Sequence, residues 1–248
     1  MANWNEPRRT EQGFGMNPGR NGALAGGVTV DAGLRRHMLS IYNYMASGVL
    51  LTGVIALLTA NTGLVYSITS GPLAWIVMLS PLAIVFAMSF GANRFSTTTL
   101  QAMFWGFAAL MGLSLSTIFL VYTGTSIAAT FFATAGAFAG LSLYGYTTQR
   151  DLSGFGTFLI MGVIGILIAS VINLFVQSTA LMWAISFLGV LIFAGLTAYD
   201  TQRLKEQYYQ IAGSEWAGKA IVLGALSLYL DFINMFLFLL RFMGSSRN

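Results

Sequence analysis

Hydrophobic and polar positions divide the chain at about residue 37. Residues 1–37 are polar and rich in Gly, Asn and Arg, and no apolar run follows Arg8 and Arg9 closely enough for a secretory signal peptide. This segment reads as a tail, disordered to about Asp31 and entering a membrane after Arg35-Arg36-His37. From Met38 the pattern changes to apolar runs of about 20 residues, the length that crosses a ~30 Å hydrocarbon core as a helix. Seven spans are expected, over 39–60, 73–91, 101–122, 126–146, 156–176, 180–199 and 220–241. Six is the alternative count, if the last run inserts only in part. The breaks carry turn chemistry: Asn61-Thr62-Gly63, Ser70-Gly71-Pro72, Asn93-Arg94, Thr123-Gly124-Thr125, Arg150-Asp151 and Gln177-Ser178. The expected organisation is an all-α membrane protein, with a tail at 1–37 and a seven-helix domain at 38–244. Small residues recur within the spans, as in Gly136-Ala137-Phe138-Ala139-Gly140. That spacing lets helices approach closely in lipid, and close packing inside the bundle is expected ahead of a dimer face.

Composition agrees with the pattern and removes several functions. Of 248 residues, 56% are hydrophobic and 8% charged, with mean hydropathy +0.73. A soluble domain needs roughly 25% charged residues to cover its surface, so a soluble enzyme is excluded. There is no cysteine and one histidine, His37, which excludes thiol catalysis, disulfides and Cys/His metal sites. No nucleophile–base pair, phosphate loop or metal triad is present, so neither enzymatic activity nor a resident cofactor is expected. The net charge of +4 carries no nucleic-acid signal, because five of the twelve basic residues lie in the tail.

Charge does set an expected orientation. Ten Lys and Arg fall on one side: Arg8, Arg9, Arg20, Arg35, Arg36, Arg94, Arg150, Arg203, Lys205 and Lys219. The other side has only Arg241 and Arg247. Positive residues stay inside, so the N-terminus is expected in the cytoplasm and, with seven spans, the C-terminus outside.

Charges within the apolar runs carry the functional information, because each costs about 3 kcal/mol to insert. Asp231, in Leu228-Tyr229-Leu230-Asp231-Phe232-Ile233-Asn234, lies near the middle of the last span and must face the bundle interior. Asn234 shares its helical face. Asp200, in Ala198-Tyr199-Asp200-Thr201-Gln202, ends span six. Arg94, at the end of span two on the same side, is a candidate partner for Asp200 or a plain positive-inside anchor. Arg241 reads as a snorkelling side chain, Arg150-Asp151 as a loop ion pair and His37 as an interfacial polar residue. Two neighbouring carboxylates titrate as a coupled pair and are hard oxygen donors of the kind Ca²⁺ takes. No EF-hand pattern is present, so Asp200 and Asp231 outline a weak cation site that is lost on acidification. Asp231 at mid-membrane meets Asp200 near the surface only if span six runs deeper, or span seven starts later, than hydropathy alone indicates.

These residues resemble a known family. Tyr199-Asp200-Thr201-Gln202 and Tyr229-Leu230-Asp231-Phe232-Ile233-Asn234, before the apolar run 235–240, are similar to the Bax inhibitor-1 (transmembrane Bax-inhibitor-motif) family. Asp31-Ala32-Gly33-Leu34-Arg35, Tyr42-Asn43-Tyr44-Met45 and Gly112-Leu113-Ser114-Leu115-Ser116 resemble its bacterial branch, so that the likeness covers about residues 31–244. The resemblance implies seven helices with the last central between two three-helix layers. It also implies a pH-sensitive Ca²⁺ leak gated by an aspartate pair on helices six and seven, with an arginine near the end of helix two latching one of the pair. Asp200 and Asp231 correspond by motif and Arg94 by position. Span two contains no Asp or Glu, so no helix-two carboxylate is carried over.

The expected function is therefore Ca²⁺ leak across a bacterial inner membrane. A rival, also implied by the family, is an interaction protein that restrains a membrane-anchored protease or acts in a stress or cell-death response, with the tail as docking segment. A third reading, a proton-coupled transporter, would use the same carboxylates, but no Gly/Pro-broken pair of spans marks a substrate site.

Overall fold

The computed structural model describes residues 18–247, and they are almost entirely helical. In chain order the helices are α1 (Pro18–Asn61), α2 (Leu64–Thr69), α3 (Pro72–Gly91), α4 (Thr97–Leu115), α5 (Ile118–Val121), α6 (Gly124–Thr147), α7 (Ser153–Val176), α8 (Thr179–Ile211) and α9 (Trp216–Met243). Among the described residues, seven stretches are long and apolar enough to cross a membrane: Ala32–Asn61, Pro72–Gly91, Thr97–Val121, Gly124–Thr147, Ser153–Val176, Thr179–Ile211 and Trp216–Met243.

The breaks read from the sequence supply several of the caps, and Ser96, two residues past Asn93-Arg94, supplies another. Pro72 opens α3 at a position where its missing N–H costs nothing. Ser96 accepts from the Thr99 amide at 3.1 Å, Thr123 from Ser126 at 3.3 Å and Ser178 from Leu181 at 3.3 Å, so α4, α6 and α8 each begin on a hydroxyl cap. Gln177 closes α7 in the left-handed conformation, with φ 51°.

Several expectations are corrected. Helix α1 begins at Pro18, so residues 18–31 are helical where disorder was expected to about Asp31. Pro18 is well placed to start a helix and no proline follows it in the segment; the expectation for residues 1–17 lies outside the described residues. Span three is interrupted at Ser116, whose hydroxyl bonds back to the Leu113 carbonyl at 2.6 Å and competes with the helix ladder. Asp151 forms no ion pair with Arg150. It accepts from the Ser153 amide at 2.8 Å at the start of α7, and the Ser153 hydroxyl and amide hold its carboxyl below the usual carboxylate range. His37 is buried within the protein, its ring 5.3 Å from that of Tyr208. Gly136 and Gly140 face outward, with no atom within 4 Å of where a Cβ would stand, so they do not serve packing inside the bundle.

Helix α9 forms the core: 61% of its apolar window is buried, against at most 33% in any other span. It packs on α8, α6 and α4, while α7 lies against α8 and α3 against α4. Tyr229, fully buried on α9, meets Phe104 and Phe107 of α4 edge-on. The Thr52 hydroxyl of α1 donates to the Ala108 carbonyl at 2.8 Å and accepts from the Tyr229 hydroxyl at 2.7 Å, joining α1, α4 and α9.

Candidate functional site: an aspartate pair between two long helices

Helix α8 does not stop at residue 199, where the apolar run ends. Its 33 residues make it about 50 Å long at 1.5 Å per residue, well beyond a ~30 Å hydrocarbon core. Asp200 therefore lies within a continuous helix and faces α9, where Asp231 sits in the middle of a 28-residue helix. Both are buried, at 6% and 5% exposure.

Asp200 is fully partnered. Its Oδ1 lies 3.3 Å from Nη2 of Arg203, one turn along α8, and its Oδ2 accepts a short hydrogen bond from the Ser227 hydroxyl of α9. Arg203 also donates to Ser227 Oγ at 3.3 Å, so the three groups form a closed triangle across the α8–α9 contact. The guanidinium lies over the Tyr199 ring, 5.7 Å from its centroid, and the Arg203 side chain is 47% exposed. Asp231 is the opposite case. Its Oδ2 is buried without a hydrogen-bond partner, while the charges of Asp200 and Arg203 act on it through the protein. Ser227, which bonds Asp200, stands four residues before Asp231 on α9, one helical turn away.

The turn of α8 that carries Asp200 is held from both sides. Thr201 donates to the Thr197 carbonyl at 2.8 Å and contacts Ser142 of α6 at 2.9 Å, and Ser142 contacts the Tyr42 hydroxyl of α1 at 2.5 Å. The buried Gln202 donates to the Arg150 carbonyl and accepts from the Leu152 amide, both at 2.8 Å, tying down the α6–α7 connection. Gly145 brings the α6 backbone onto the Ala198 carbonyl, where any Cβ would overlap the oxygen.

Comparison with known proteins shows the family. The family model described as "Inhibitor of apoptosis-promoting Bax1" matches residues 34–248. An uncharacterized protein of Rickettsia prowazekii is 47% identical, covering 89% of this chain and 94% of its own. A Caulobacter vibrioides protein is also 47% identical, covering 89% and 92%. The Escherichia coli inner membrane protein YbhL is 46% identical, covering 87% and 94%. The chain belongs to the Bax inhibitor-1 family.

Within this Bax inhibitor-1 family chain the arginine at the pair is not the one expected from the sequence. Arg94 is exposed in the α3–α4 connection, where its amide bonds the Gly91 carbonyl at 2.9 Å, and the only ion pair to Asp200 among the described residues comes from Arg203. The apolar run ends at 199, short of Arg203; with α8 continuous to Ile211, Arg203 lies on the Asp200 face, three residues on. That i, i+3 spacing was the available signal. Ser227 carried none beyond its position one turn before Asp231. Asn234 bonds back to the Leu230 carbonyl at 2.8 Å and so turns its amide to its own helix.

The chemical capacity of the site is limited and specific. No cluster of three or more His, Cys, Asp or Glu occurs among the described residues. Two carboxylates and a hydroxyl provide a few hard oxygens, suited to passing contact with a divalent cation and too few for the six to eight ligands of a tight Ca²⁺ site.

Proposed function

We propose that this chain is a multi-pass protein of the bacterial inner membrane through which Ca²⁺ leaks by way of the Asp200–Asp231 pair. Conduction is set by protonation of the pair and by Arg203, which takes the latching place expected for Arg94. The observation that carries the reading is the Asp231 carboxylate, buried mid-helix with an unpartnered oxygen beside a second carboxylate. A lone buried acid is costly and is retained in a span for function. Two adjacent negative charges repel each other in a low dielectric and are neutralised together by one divalent cation. In its absence the Arg203 guanidinium balances one of the two charges. A cation entering the pair must therefore displace the guanidinium, and each proton taken up by the pair weakens the hold on both. A site with so few oxygens also releases its ion, as conduction requires. The inner-membrane placement follows the YbhL relative, and the cytoplasmic N-terminus follows the ten basic residues expected on that side.

The test is Ca²⁺ uptake into dye-loaded proteoliposomes over about pH 5 to 8, the range in which perturbed carboxyls titrate, with wild type, Asp200→Asn and Asp231→Asn. Flux that varies with pH in the wild type and changes in both variants is the expected result. Flux equal to that of empty liposomes at every pH refutes it.

A further inference from the structure

A polar cavity of about 460 Å³ lies between α8 and α9 on the far side of Arg203 from the aspartate pair. Glu206, Gln207 and Gln210 of α8 and Leu223 and Gly224 of α9 line it, with Arg203 as one wall. We infer that this cavity is the antechamber of the aspartate pair and that Glu206 is a second seat for the Arg203 guanidinium, which moves from Asp200 to Glu206 when a cation enters. The inference rests on the cation pathway proposed above.

Four observations support it. Arg203 has a carboxylate three residues behind it and another three residues ahead, so both are neighbours on the helix surface. Glu206 is exposed and has no hydrogen bond or ion pair among the described residues. The other cations of these two helices are committed elsewhere: Lys205 Nζ donates to the Tyr146 carbonyl at 2.8 Å, Lys219 Nζ donates to the Ala92 carbonyl at 3.2 Å, and Arg241, in the last turn of α9, lies over the Phe238 ring. The half-exposed Arg203 side chain borders open space into which it can turn without displacing a packed neighbour. Resting preference is also defined. An acid preceding a base along a helix is the favourable order and the reverse is weaker, so Arg203 sits on Asp200 until that carboxylate is engaged. Glu206 then lowers the free energy of the displaced state without holding the ion itself.

The chain contains no cysteine, so Ser227→Cys places a single thiol directly under the Arg203 guanidinium. Its modification rate by a cationic methanethiosulfonate reagent reports how often the arginine is away, independently of any ion flux. In the Ser227→Cys protein, Arg203→Gln should speed modification. Glu206→Gln should slow it about twofold, the change for an exposed one-turn ion pair of about 0.4 kcal/mol. The same Glu206→Gln change should have no effect once Arg203 is Gln, and should keep its effect when Arg203 is Lys. A Glu206→Gln effect that is absent with Arg203 present, or equal with and without it, overturns the inference. The thiol pattern in a protein without measurable Ca²⁺ flux would uphold the two-seat arginine and remove the conduction reading.

Discussion

Replacing Asp231 by leucine should make the protein more stable while removing its proposed function. Leucine has the same branched skeleton as aspartate with bulkier methyl ends, so the substitution opens no cavity. What it removes is a buried oxygen with no partner, a defect that costs about 1–3 kcal/mol. It also removes a carboxylate from the vicinity of Asp200, whose charge acts on it. A gain of that size raises Tm by roughly 2–4 °C for each kcal/mol in a chain of this length. Asp200→Leu should behave differently. That carboxylate is satisfied by Ser227 and Arg203, so nothing is relieved. Its ion pair is half exposed and contributes at most about 1 kcal/mol, and a small loss is expected. Thermal unfolding in detergent, followed through the five tryptophans, measures both variants, and uptake assays run in parallel show whether flux is lost. If Asp231→Leu lowers Tm by the equivalent of about 1 kcal/mol or more, the carboxylate is a structural group and the reasoning from its unpaired oxygen fails.

Two further substitutions probe the frame around the pair. Thr52 donates to Ala108 and accepts from Tyr229, so Thr52→Val strands a fully buried tyrosine hydroxyl at about 1–3 kcal/mol, whereas Tyr229→Phe leaves every remaining group bonded at about 0.5–1.5 kcal/mol. The double variant should be more stable than Thr52→Val alone, and a larger loss in Tyr229→Phe than in Thr52→Val by thermal unfolding would contradict the assigned donor order. Gln202→Leu removes both bonds to the α6–α7 connection, and amide exchange at Leu152 should accelerate about tenfold for each 1.4 kcal/mol of lost protection; an unchanged rate would mean that the connection is held by something else.

The parts of the fold that depend on lipid were legible and the parts that depend on polar contacts were not. Apolar length alone located seven spans, and Asp231 stood out because a charge in the middle of such a run has no other explanation than an interior position. Helix α8 outruns the apolar run of span six for a physical reason. Hydropathy falls after Tyr199 because the chain approaches water, but a helix stops only where its backbone is interrupted. Between Asp200 and Ile211 there is neither glycine nor proline, and the residues Arg203-Leu204-Lys205-Glu206-Gln207 all favour helix. The first interruption is Gly213, whose φ of 80° turns the chain toward α9. Extending the helix to that glycine would have placed Arg203 on the Asp200 face from the sequence alone, ahead of an Arg94 that matched by position only. The glycines show the converse limit. The spacing of Gly136 and Gly140 announces close packing but not a partner, and both point away from the bundle, while Gly145, outside that motif, makes the tight α6–α8 contact beneath Asp200. A small residue permits approach; which helix approaches is decided by the polar groups that must be satisfied. Here these are the Ser142–Thr201 contact and the Gln202 clamp, and they draw α6 and its connection onto the turn that carries the pair.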